Sequence, residues 1–125
     1  MIEKRAHSLT QRLFVGRNRY SGAGRQEASF ETVEGGRARV LGSLHFSTVS
    51  ALLSEGINAI NGGQAAVIDL AGVTASDSSG LALLIEWLSV AKATGKELRY
   101  ENLPTQLHQL ARLSEVEELL APAPA

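Results

Sequence analysis

The sequence predicts an α/β layer fold: a mixed, mostly parallel sheet of about four strands with helices packed on it, in the order ββαβαβα with room for a short extra helix at the end. Three observations carry this. Apolar runs of strand length alternate with segments of helical period, and glycine or proline punctuates most junctions. The later strands are separated by helical stretches of roughly 12 to 16 residues, long enough for right-handed crossovers that leave neighbouring strands parallel.

The elements follow in order. Ser29 to Val33 and Arg37 to Leu41 flank Glu34-Gly35-Gly36 and read as two antiparallel strands around a glycine turn. Phe46 to Ile60 has a helical face of Val49, Leu52, Leu53, Gly56, Ile57 and Ile60, with Ser47 as the expected cap. Asn61-Gly62-Gly63 stops it, because these residues tolerate a left-handed closing turn. Ala65 to Leu70 reads as a central strand buried on both faces, followed by a short polar turn. A helix is expected from Ser79 to Thr94, ended by Gly95, and then a strand from Glu97 to Glu101. Pro104 opens the next helix, where its missing N–H costs little; Leu107, Leu110, Ala111 and Leu113 supply its stripe, and Val116, Leu119 and Leu120 close the core.

The 125 residues, 44% of them hydrophobic, hold material for one core. Three segments are expected: a basic, disordered extension over residues 1–27, one domain over 28–120, and an Ala/Pro tail over 121–125. The extension carries Lys4, Arg5, Arg12, Arg17, Arg19 and Arg25, whereas the body is acidic. A membrane- or partner-binding arm, a transit peptide and extra sequence from a misplaced start are its other readings. The most hydrophobic region, Leu81 to Ala91, is too short to cross a bilayer and carries Glu86, and the start lacks a secretory h-region. With no cysteine, disulfides and thiolate chemistry are excluded. The expected location is cytoplasmic.

The chemistry gathers at Ser76-Asp77-Ser78-Ser79-Gly80-Leu81, where a strand hands over to a helix. Unpaired N–H groups and the positive end of the macrodipole meet serine hydroxyls and a carboxylate there, so the turn can be docked against or phosphorylated. Either Ser78 caps the helix, or Asp77 does and leaves the Ser78 hydroxyl facing outward. Gly80 is poorly suited to a helix, which implies close approach of a neighbour or tolerance near a helix start. Asp69, in an apolar strand, is expected to bond nearby backbone rather than act as an acid. In the following helix, Leu81, Leu84, Ile85, Leu88 and Ala91 form one apolar arc, and Leu83, Trp87 and Val90 form a second beside it. The final helix is the default cover for the surplus, and Trp87 is expected to be partly available to a partner.

These residues resemble the STAS domain over roughly residues 28 to 120: Ile68-Asp69-Leu70 with Val73, Asp77-Ser78-Ser79-Gly80-Leu81, Lys96 to Asn102, and Leu110 to Ser114. Within that family, Gly80 to Leu84, Asn102-Leu103-Pro104 and Leu110-Ala111-Arg112-Leu113 are most similar to the MlaB-like branch, whose members are cytoplasmic subunits of a phospholipid ABC transporter. The resemblance implies that Ser78 stands at the family's hydroxyl position, phosphorylated in anti-sigma factor antagonists and placed in the partner interface of MlaB-like proteins. Asp77, Ser79, Gly80, Leu83, Trp87 and His45 are the accompanying candidate partner-binding residues. His45 stands where the antagonists commonly have an aspartate, which puts kinase-substrate geometry in doubt; it is otherwise simply a loop residue.

No enzymatic activity, metal or cofactor is expected. His7, His45 and His108 form no His-x-x-x-His pair, and the chain has no phosphate-cradling G-x-x-x-x-G-K motif. An acidic body disfavours nucleic acid. Two functions remain: a regulatory subunit docked on an ABC transporter ATPase (MlaF-like), peripheral to the inner membrane through that complex, and an antagonist that binds an anti-sigma factor kinase until Ser78 is phosphorylated.

Overall fold

In the computed structural model, residues 27–120 are described; the basic-extension reading for residues up to 26 and the Ala/Pro tail lie outside them. Two antiparallel strands, β1 (Ala28–Val33) and β2 (Arg37–Leu44), lead into α1 (Phe46–Asn61). The chain continues through β3 (Val67–Ser76), α2 (Ser78–Ala93), β4 (Arg99–Glu101), α3 (Thr105–Leu113) and α4 (Glu117–Leu120). The four strands form one sheet in the order β1-β2-β3-β4. The β1–β2 pair is antiparallel and the β2–β3 and β3–β4 pairs are parallel, so the sheet is mixed and mostly parallel.

Alternation along the strands divides the sheet into two faces. Ala38, Val40, Ile68, Leu70 and Tyr100 are buried and pack with the helical residues Leu52, Ile60, Leu84, Trp87 and Leu107. The Tyr100 hydroxyl donates to the Leu84 carbonyl at 2.6 Å, tying β4 to α2, and burial pushes its pKa up. The opposite face carries Arg37, Arg39, Asp69 and Glu101 in contact with solvent, with ion pairs Arg37–Glu101 and Arg39–Glu31 at 2.5 and 2.8 Å. The expectation that the central strand is buried on both faces is therefore corrected: Val67 and Asp69 are only half-buried.

Strand lengths also depart from the sequence reading. β2 runs three residues past Leu41, through a segment read as loop, and β4 is limited to three residues. The segment after Leu70, expected to be a polar turn, continues β3 to Ser76. Its alternation is hidden by two irregularities. Arg39 pairs with Asp69 but Leu41 with Gly72, and Gly42 pairs with Val73 but Ser43 with Ala75, so β3 holds an extra residue at each place. The first bulge falls next to Ala71, whose N–H is taken by the Asp69 carboxylate at 2.9 Å. Asp69 thus bonds nearby backbone, in mid-strand rather than at the strand's end.

That carboxylate has a measurable consequence. Asn102 Nδ2 donates to it at 2.9 Å, and together with the Ala71 N–H, Arg37 and Arg39 it holds the Asp69 pKa below the ordinary aspartate value. A depressed carboxyl contributes stability that is present above its unfolded value of about 3.9 and is lost as pH falls through the lower folded value. Asn102 has φ 57°, so Asn102→Gly keeps the left-handed backbone while removing the amide. The expected result is a rise in the Asp69 pKa toward its unfolded value, lower stability near neutral pH and a shallower loss of stability on acidification, read by NMR titration and acid unfolding.

The helices show why the apolar arcs are so wide. Trp87 is 0% exposed and donates its indole N–H to the Leu53 carbonyl at 3.2 Å. Its ring meets Phe30 of β1 edge-on, with centroids 5.5 Å apart, and lies where a Cβ on Gly56 would sit. The cover for this arc is thus α1 and β1 rather than the final helix. Trp87 is part of the core and does not reach the surface, which corrects its expected availability to a partner. In α3, Leu107 and Ala111 are buried, whereas Leu113, assigned to the stripe, is 82% exposed. Among the described residues, no helix is long and apolar enough to cross a membrane.

Candidate functional site

Because β2 and β3 are parallel neighbours whose last pair is Leu44 with Ser76, both hand over to helices at the same edge of the sheet. His45 and Asp77 are the two N-cap residues, each in extended backbone, and the Asp77 N–H donates to the Leu44 carbonyl at 3.0 Å. A third helix start joins them: Gln106 in the first turn of α3 accepts from the Ser76 N–H at 3.0 Å. The corner is therefore built from the carboxyl ends of parallel strands, the place where α/β folds gather their sites.

Asp77 is the cap of α2. Its carboxylate accepts the Ser79 N–H at 2.7 Å, one of the amides a helix start leaves unpaired. Ser78 is the first helical residue and is exposed, while Ser79 is half-buried. At the other helix, the N-cap is His45 and not Ser47. The closing contact comes from Thr48, whose hydroxyl oxygen accepts the His45 N–H at 3.0 Å, while Ser47 Oγ lies 2.9 Å from His45 Nδ1. His45 thus has a structural place at the corner, beside the turn that presents Ser78.

Gly80 resolves to the close-approach reading, with the neighbour inside this chain. A Cβ there would overlap Ser76 Oγ and stand 3.0 Å from Leu44 Cβ. Helix α2 can settle onto the end of β2 only because that position is bare. Gly80 is buried and therefore not a surface that a partner touches directly, which corrects the expectation that it is a partner-binding residue.

Below the corner, α1 and α2 run side by side and enclose an open groove of about 330 Å³. Val49, Ser50 and Leu53 line it from α1; Ser79, Ala82, Leu83 and Glu86 line it from α2. Leu83, expected at a partner surface, is 4% exposed and supplies part of the floor. At the upper end stands Phe46, 83% exposed in the first turn of α1, on the helical face it shares with Val49, Ser50 and Leu53. Phe46 and the groove were not singled out in the sequence. The available signal was the i, i+3, i+4, i+7 spacing of 46, 49, 50 and 53, one flank of an arc too wide for a single neighbour.

The arrangement offers a hydroxyl on an exposed helix start, an exposed aromatic ring and an apolar trough. Among the described residues, no cluster of three or more His, Asp or Glu side chains is placed to hold a metal ion. The family model for the MlaB-like STAS domain matches residues 31–121. The chain belongs to the STAS domain family. The match spans both parallel crossovers, and with them the His45, Ser78 and groove positions. A solved STAS-like structure, the anti-sigma factor antagonist SpoIIAA in its unphosphorylated form, superposes with a TM-score of 0.58 at 18% identity, covering 77% of this chain and 89% of that one. That likeness concerns the fold. No curated protein matches the chain.

Proposed function

We propose that this STAS domain is a non-catalytic cytoplasmic subunit that binds and regulates the ATPase of an ABC transporter for phospholipid trafficking, held at the inner membrane by that complex. The observation that carries the proposal is the MlaB-like family match across a corner where exposed Ser78 continues into an apolar groove. A surface of that kind suits docking: an aromatic anchor and a recess provide apolar burial, and a hydroxyl and a carboxylate at its head fix orientation. Regulation then acts through stabilisation of one state of the ATPase, by as much as the domain's affinity for that state exceeds its affinity for the others.

One feature supports a second reading, an anti-sigma factor antagonist switched at Ser78. The Ser78 residue is exposed at a helix N-terminus, where a phosphate is electrostatically well placed. Against it, the neighbouring cap is His45, a side chain that brings no fixed negative charge. The two readings separate in one experiment with the full chain. Stable co-purification with an ABC ATPase and a change in its ATP turnover are the expected result. Phosphoryl transfer to Ser78 from an anti-sigma factor kinase, without affinity for the ATPase, overturns it.

A further inference from the structure

The groove between α1 and α2 specifies more about its occupant than that it is apolar, an inference that rests on reading the corner as a partner surface. On α1, Phe46, Val49 and Leu53 stand in one row; on α2, Ser79, Ala82 and Glu86 stand in another. Each row advances seven residues, about 10 Å or two helical turns. Parallel walls of that length accept a rod lying along them, and an α-helix presents side chains at the matching spacing.

Charge is distributed unevenly over this face. Between Arg39 and Lys92 the sequence contains no lysine or arginine, but it contains Glu55, Asp69, Asp77 and Glu86. Asp69 belongs to the far face of the sheet, and Glu55 lies nine residues beyond Phe46, half a turn away from the groove row. Glu86 at the lower end of the groove and Asp77 at the corner are what an arriving segment meets. Asp77 is already bonded to the Ser79 N–H; Glu86 is exposed.

We propose that the occupant is an amphipathic helix of the partner protein that sets apolar side chains along the groove between Leu53 and Leu83 and places a lysine or arginine against Glu86, about two turns from the residue that meets Phe46. The carboxylate fixes the direction in which that helix lies. It also disfavours acidic competitors, since like charges across an interface are costly.

The test titrates the full chain with the purified ABC ATPase by calorimetry at low and high salt, with thermal melts to confirm folding. Glu86→Lys is expected to weaken binding by about tenfold or more at low salt, and Glu86→Gln by less, with both effects shrinking as salt rises. Ala82→Trp fills the groove without altering charge and is expected to weaken binding equally at both salts. Unchanged affinity for Glu86→Lys together with lost affinity for Ser78→Arg overturns the proposal while leaving the corner as interface. Groove variants that alter self-association of this chain, or a gain in ATPase affinity on removing residues 1–26, also overturn it, because they assign the groove to a second copy or to this chain's own basic segment. Absence of any binding by the unaltered chain overturns the functional reading and this inference with it.

Discussion

Replacing Trp87 with alanine is expected to lower the unfolding free energy by about 3–5 kcal/mol, the range for deleting a fully buried large aromatic. The indole makes three contacts on two other elements: it fills the bare position at Gly56 on α1, bonds the Leu53 carbonyl of the same helix and meets Phe30 on β1. No single neighbour can collapse into the space it leaves. Small domains hold only about 5–15 kcal/mol in total, so the variant should sit close to its unfolding threshold at ambient temperature. Denaturant unfolding followed by circular dichroism measures the loss. Trp87 is the chain's one tryptophan, so its emission reports the same point independently. Blue-shifted fluorescence, poorly quenched by acrylamide and unmoved by a bound partner, is the expected signature of a core residue. Solvent-exposed emission that shifts on partner binding would return Trp87 to the interface.

The contrast between Trp87 and Ser78 shows where reading from sequence succeeds. Element order and strand direction were legible because they depend on period and punctuation, which are local: Glu34-Gly35-Gly36 marks the hairpin and Asn61-Gly62-Gly63 marks the end of α1. The STAS resemblance agrees with the family match, its motifs lying along β3, at the start of α2 and around β4 and α3. The full length of β3 was not legible. Two extra residues break the alternation after Leu70, and a bulge has no signature in residue type when its freed amide is satisfied by an aspartate two positions earlier. Division of the apolar arcs among neighbours was hidden as well. A helical wheel shows that α2 is apolar on most sides, yet only the assembled fold shows that Leu83 and Trp87 face α1 while Phe46 stays exposed among the described residues. At Gly80 the residue type alone leaves close approach and tolerance near a helix start open, and the fold decides for close approach, because the atoms that exclude a Cβ come from β2 and from the last residue of β3.

Ser78→Glu and Ser78→Arg are both expected to weaken partner binding on the order of a hundredfold, because each places an uncompensated charge in a surface that docking desolvates. Their effects on folding should differ in sign. Ser78 is the first residue of α2, exposed, with the capping bond supplied by Asp77 rather than by its own hydroxyl. A glutamate there gains from the positive end of the helix, and an arginine loses, by about 0.3–1 kcal/mol each. Two variants with opposite small shifts in melting temperature and the same large loss of affinity cannot be explained by damage to the fold. Ser78→Ala, which keeps the surface neutral and small, is expected to retain most of the affinity, and a phosphate on Ser78 is expected to behave as the glutamate does, only more strongly, having more charge and bulk. Normal affinity in both charged variants would place the interface elsewhere on the domain. If only the glutamate variant fails, the partner surface over Ser78 is itself acidic, and the turn discriminates by sign of charge rather than by desolvation. Affinity measurements alongside thermal melts on these three variants therefore separate the role of the hydroxyl from that of the helix it begins.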